Sequence, residues 1–168
     1  MADADIGAIA SAAGVSRGTF YFHFPTKEHA LAELTRREEA LMAHELTDAL
    51  GSTVELKAAL AEVIRRVVAE EARLGQVLFH DILSLYFSVT QPELRESATH
   101  PVALIVIEQI EKARDRGEIY SDVEPGYSGV FFLIGLYGLL LTKQDPAPAR
   151  TVALEKYLAS FHRGLEVR

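Results

Sequence analysis

Apolar positions recur at spacings of three and four along nearly the whole chain. Ile6, Ile9, Ala10 and Ala13 share one face of a short helix, and Gly14 ends it, since glycine takes positive φ at a helix end where a Cβ would clash. Ser16 caps the next helix, whose Phe20 and Phe24 turn inward. Pro25 and Thr26 open a long helix to about residue 50, with Leu31, Leu34, Leu41, Met42 and Leu46 on its inner side and Gly51 at its end. Ser52 and Glu55 form a capping box for a helix to about residue 74, striped by Leu56, Leu60, Val63, Ile64 and Val67.

The next segment, 76–89, is apolar nearly all round and is expected to be enclosed by other helices. A cap signal at 90–93 follows, then a helix from Pro101 to about Arg116 that Gly117 stops, and a loop over 116–125. Two last helices, 125–142 and 149–166, are joined by a breaker at 144–148. The longest apolar run, 130–141, is short of the ~18 residues a membrane helix requires, so it reads as a buried helix and no membrane partner is expected. No stretch alternates with strand period and no repeat appears, so the fold class is all-α.

Helix, glycine, serine cap and second helix in the first 24 residues are the grammar of a helix-turn-helix. The second helix would expose Arg17, Gly18, Thr19, Tyr21, Phe22 and His23. Arg17 can fork onto guanine O6 and N7, Thr19 or Phe22 can meet a thymine methyl, and Gly18 lets backbone approach a ligand. Tyr21, His23 and Lys27 are donors with the reach for phosphate oxygens. On these residues alone an ordinary helical hairpin with a solvated basic edge stands equally open.

The string AGVSRGTFYFHFPTKEHAL, residues 13–31, resembles the signature of TetR-family transcriptional regulators, of the form A-G-V-S-x-G-T-x-Y-x-H-F-x-x-K-x-x-L. Ala13, Gly14, Val15, Ser16, Gly18, Thr19, Tyr21, His23, Phe24, Lys27 and Leu31 carry the match, which covers about the first fifth of the chain. The resemblance implies a DNA-facing set of Ser16, Arg17, Gly18, Thr19, Tyr21, Phe22, His23 and Lys27. Arg17, Gly18 and Thr19 would lie at bases or adjacent phosphates, and the later residues would grip backbone and groove wall. Family members normally carry a further amphipathic helix ahead of the first one seen here. A chain without it is expected to leave Ile6, Ile9, Phe20 and Phe24 uncovered and to bind operator DNA poorly.

Charge changes the picture only locally. The net charge of −7 argues against a nucleic-acid partner for the whole chain. Over 1–37, however, Arg17, Lys27, Arg36 and Arg37 balance Asp3, Asp5, Glu28 and Glu33, so the deficit lies downstream. The absence of cysteine excludes a disulfide scaffold, a thiolate zinc site and a cysteine nucleophile. Histidines at 23, 29, 44, 80, 100 and 162 form no metal or catalytic motif, and no phosphate-binding glycine loop is present. No enzyme activity, cofactor or metal is therefore expected, and without a signal-peptide start the location is expected to be cytoplasmic.

The family resemblance further implies two regions, a helix-turn-helix at 1–34 and a helical ligand-binding and dimerisation body at 35–168. In that body Phe79, His80, Leu83, Tyr86, Phe87, Val106, Ile110 and Phe131 are the candidate contacts of a mostly apolar effector, with His80, Asp81 and Ser84 to orient it. These residues fit plain core as well. Ser128, Gly135, Gly138, Leu154, Tyr157, Leu158 and Phe161, on the last two helices, are the implied homodimer seam, against which stands a monomer core. The leading reading is a ligand-responsive repressor that binds palindromic operator DNA as a homodimer. The rival is an all-α ligand-binding or dimerisation module whose DNA reader is vestigial.

Overall fold

The computed structural model describes residues 5–51, 54–87, 100–142 and 148–167. The serine cap expected at 52, the cap signal at 90–93 and residues 144–147 of the breaker lie outside them. The described residues form eight helices: α1 Ile6–Ala12, α2 Arg17–His23, α3 Lys27–Ala49, α4 Leu56–Leu74, α5 Gln76–Tyr86, α6 Pro101–Asp115, α7 Pro125–Thr142 and α8 Ala149–Leu165. The fold is all-α, and the described residues contain no strand beyond one isolated bridge between Ile119 and Glu166.

Local chemistry explains the helix ends. The Asp5 carboxylate accepts from the Gly7 amide at 2.7 Å, Ser16 Oγ from Thr19 at 3.0 Å and Thr26 Oγ1 from His29 at 3.4 Å. Gly14 and Gly117 take φ of 70° and 74° to close α1 and α6. The first turn of α4 is capped from a distance, because Glu118 Oε2, 62 residues away, accepts from the Leu56 amide at 3.2 Å.

The main core sits around α6, whose Val102, Ala103, Val106, Ile110 and Ala113 are buried among α3, α4 and α7. α7 lies against it at Gly129, where an added Cβ would meet Ile107 Cγ1 at 2.7 Å and the Ile107 backbone nitrogen at 3.3 Å. At 18 residues and a mean hydropathy of 1.4, α7 has the length and composition of a minimal membrane span. It nonetheless buries Phe132, Leu133, Leu136, Tyr137 and Leu140 in this core. α8 covers it with rings, Tyr157 and Phe161 lying 5.6 and 5.1 Å from Phe132.

Two expectations from the pattern are corrected. Leu41 is 51% exposed, because the buried residues of α3 are Leu31, Thr35, Glu39, Ala43 and Leu46 and a residue two places from Glu39 points away from that stripe. The 76–86 helix is not enclosed all round either. Phe79, Ile82, Leu83 and Leu85 are buried, whereas Val77 is 79% exposed.

Candidate functional site

The N-terminal helix pair has a core of its own, Ile6, Ala10 and Phe20 with Phe24 and Ala30 packed on it. The Phe20 and Phe24 rings are 5.5 Å apart on the inner side. The remaining residues of α2 face outward: Arg17, Gly18, Thr19, Tyr21, Phe22 and His23 are all exposed, Phe22 by 83%. Arg17 makes no ion pair with a described residue, so its guanidinium is available. A Cβ on Gly18 would meet only Ser16 Oγ, at 3.6 Å, so the chain itself does not demand glycine there. Ser16 is occupied as the cap and also pairs with Thr19 Oγ1 at 2.9 Å, which holds the Thr19 side chain at the helix start. Lys27, the first residue of α3, is half-buried at the edge of this surface.

Beneath the helix pair an open apolar groove of about 780 Å³ separates it from the start of α5. Ile9, Phe20, Phe24, Leu34, Val77 and Leu78 are among the residues that line it. The pair is joined to the body through α3, whose Leu31 lines this groove and packs with Ile82 and Leu85 of α5.

The body holds a second, smaller space of about 30 Å³, lined by Thr35, Glu38 and Glu39 of α3, Glu70 of α4, Phe79, Leu83 and Tyr86 of α5, Val102 of α6 and Tyr137 of α7, among others. Glu39 Oε2 accepts from His100 Nδ1 at 2.6 Å, and the His100 ring lies 5.1 Å from Tyr86. Burial, with Tyr137 and Glu39 close by, pushes the Tyr86 hydroxyl pKa well up, and burial beside Glu39 raises that of Tyr137. Both stay phenols at any ordinary pH. At the rim Arg73 pairs with both Glu38 and Glu70. Burial first, and the neighbouring Glu38 carboxylate, raise the Glu70 pKa against the pull of Arg73.

Of the residues expected to contact an effector, Phe79, Leu83 and Tyr86 line this chamber. Val106 and Ile110 are wholly buried core and do not line it, His80 is half-buried outside it, and Phe87 and Phe131 are exposed. Asp81 lines the groove beneath the N-terminal helix pair instead, and the Ser84 hydroxyl donates to the His80 carbonyl at 2.7 Å. The polar residues that do line it, Thr35, Glu38, Glu39, Glu70 and Tyr137, are not among the residues expected. The sequence does carry a signal for Glu39, since Thr35 and Glu39 interrupt the core stripe of α3 at four-residue spacing.

On the last two helices Leu154 is buried and Tyr157, Leu158 and Phe161 pack against the main core of the same chain. The Tyr157 hydroxyl donates to the Phe132 carbonyl. Ser128, Gly135 and Gly138 are half-buried. The outward side of α7 carries Tyr127, Phe131 and Ile134, with open space above Gly138.

Residues 1–34 match the family model for bacterial regulatory proteins of the tetR family. No curated protein matches the chain in sequence. The fold is similar to that of the fatty acid degradation regulator FadR from Bacillus halodurans, at 15% identity and a TM-score of 0.75, covering 98% of this chain and 90% of that one. A putative tetR-family transcription regulator from Shewanella sp. PV-4 is similar at 22% identity and a TM-score of 0.71, over 98% of this chain and 88% of that one. A gamma-butyrolactone receptor is similar at 20% identity and a TM-score of 0.51, over 96% and 86%.

Proposed function

We propose that this chain, a TetR-family transcription regulator by its N-terminal helix-turn-helix and by its fold, is a repressor that binds palindromic operator DNA as a homodimer and is released by a small, mostly apolar effector. Residues 1–34 read DNA and 35–168 hold the effector and the dimer contact. One observation carries the reading: reader and chamber are built on the same two helices. α3 begins at Lys27 and Leu31 under the reader and contributes Thr35, Glu38 and Glu39 to the chamber. α5 packs Ile82 and Leu85 on Leu31 and turns Phe79, Leu83 and Tyr86 into the chamber. Leu31 and Glu39 are eight residues apart, ~12 Å along a helix. An effector that displaces α3 or α5 therefore moves the base of the reader.

The gamma-butyrolactone receptor is named for a small ligand, which supports an effector here. The outward stripe Tyr127, Phe131 and Ile134 on α7 supports a two-fold contact that would set two readers ~34 Å apart on successive major grooves. Selection from random duplex DNA with the full chain tests the proposal. Recovery of an inverted repeat, bound in a salt-dependent manner, supports it. The open groove beside Ile9 favours a second reading, a dimerising effector binder whose reader is vestigial, and a stable dimer that enriches no sequence would establish that one.

A further inference from the structure

We infer that the reader recognises thymine by its 5-methyl group, through the ring of Phe22 and the side-chain methyl of Thr19, three residues apart on the outward side of α2. The inference rests on the reading of residues 1–34 as DNA-binding and names the base chemistry they select.

Phe22 is the first argument. At 83% it is the most exposed large apolar side chain among the described residues, and its ring joins none of the core clusters they form. It meets the His23 ring edge-on at 5.3 Å. A phenyl group has no donor or acceptor to offer a phosphate or a base edge. Apolar contact is what it can gain, and the apolar group that the major groove presents is the C5 methyl of thymine. Tyr21, by contrast, leans edge-on against Phe20 at 5.6 Å, so its ring rests on the small core of the helix pair and its hydroxyl is left for phosphate.

A second observation is independent of that ring. Ser16 engages both the amide and the hydroxyl of Thr19: Ser16 Oγ accepts from the amide at 3.0 Å, and the two hydroxyls are hydrogen-bonded at 2.9 Å. The Thr19 oxygen is therefore turned back towards the start of α2, and the methyl is the part of the side chain left for a ligand. Gly18 beside it adds no bulk, since a Cβ there would meet only Ser16 Oγ, at 3.6 Å.

Spacing joins the two groups. Residues three apart on a helix are neighbours on one side. Their ~4.5 Å separation along the axis is close to the ~3.4 Å step between bases of one strand, so ring and methyl suit thymine methyls on adjacent base pairs.

The test uses the full chain and the operator recovered from random duplexes, with its thymines replaced one at a time by deoxyuridine, which removes the methyl and keeps the base pair. Uracil at two positions of each half-site should weaken binding about fourfold each, the worth of one buried methyl group. A scrambled duplex should bind alike with either base. Phe22→Ala should erase the penalty at one of these positions. Thr19→Ser, which keeps the hydroxyl on Ser16 and loses only the methyl, should erase it at the other, and Thr19→Val, which keeps a methyl, should preserve it. A penalty at one position only, lost with a single variant, would uphold that residue and overturn the part given to the other. An enriched operator without thymine in its half-sites, one that binds equally with uracil throughout, or a penalty that survives both Phe22→Ala and Thr19→Ser would overturn the inference while leaving DNA binding intact. Failure to enrich any sequence would overturn the reading of 1–34 as a DNA reader, and this inference with it.

Discussion

Gly135 of α7 lies directly on Tyr157 of α8: an added Cβ would sit 2.7 Å from the tyrosine oxygen and 2.8 Å from Cε2. The two helices close on each other within one chain at this point, and the Tyr157 hydroxyl is held there by the Phe132 carbonyl. Gly135→Ala must therefore move the ring or the helix, and it should destabilise the fold by ~1–3 kcal/mol, as overpacking does. Chemical denaturation checks this, and a stability loss below the error of the fit would mean that the ring gives way freely.

The same pair bears on where a dimer surface can lie. A large residue at 135 injures the monomer, so failure of such a variant to dimerise would say nothing of where the interface is. Phe131, 64% exposed on α7 and free of the core, is the better probe. Phe131→Glu should halve the mass seen by light scattering while leaving the helical circular dichroism intact. An unchanged mass would place the two-fold contact on another face.

Glu118 ties the end of α6 to the start of α4, because its carboxylate accepts from the Leu56 amide and from Arg116. Arg116 first, and then that amide, hold its pKa below the ordinary glutamate value of 4.5. A carboxyl whose pKa is depressed by folding contributes stability above its unfolded pKa and loses it as pH falls through the folded one. Glu118→Gln should thus lower stability by ~1 kcal/mol at pH 7, the worth of a helix cap, with the difference from wild type shrinking below about pH 4.5. A difference independent of pH would show that charge has no part in the cap.

Much of this was legible in the sequence, for physical reasons that also mark its limits. Gly14, Ser16, Thr26 and Gly117 act on neighbours within four residues, so the ends of α1, α2, α3 and α6 could be read from local chemistry. The cap on α4 could not, because its acceptor lies 62 residues away. Periodicity marked the α4 stripe correctly but misplaced Leu41, where one apolar residue looked like part of a face it does not share. The chamber was the least legible part. Its polar groups, Glu39, Glu70 and Tyr137 among them, come from regions that only the packing of α3, α4 and α7 brings together, and an aromatic-rich helix suggested an apolar site instead.

Two kinds of DNA contact can be separated at the reader. Arg17 is exposed at the first position of α2 with no ion pair to a described residue, while Gly18 and Thr19 beside it leave room for a base edge. A guanidinium forked onto guanine discriminates that base by ~1–3 kcal/mol. Arg17→Ala should therefore lower affinity for the selected operator and flatten preference at one position of each half-site. Lys27 stands at the start of α3, half-buried at the edge of the recognition surface, where its reach suits a phosphate. Lys27→Ala should weaken binding to all duplexes alike and reduce the slope of log affinity against log salt by ~1 for each phosphate it no longer neutralises. Salt-titrated binding of both variants to operator and to scrambled duplex measures the two effects together. If Arg17→Ala weakens operator and scrambled DNA equally, Arg17 grips a phosphate and the reading of bases must be assigned to Thr19, Tyr21 or Phe22.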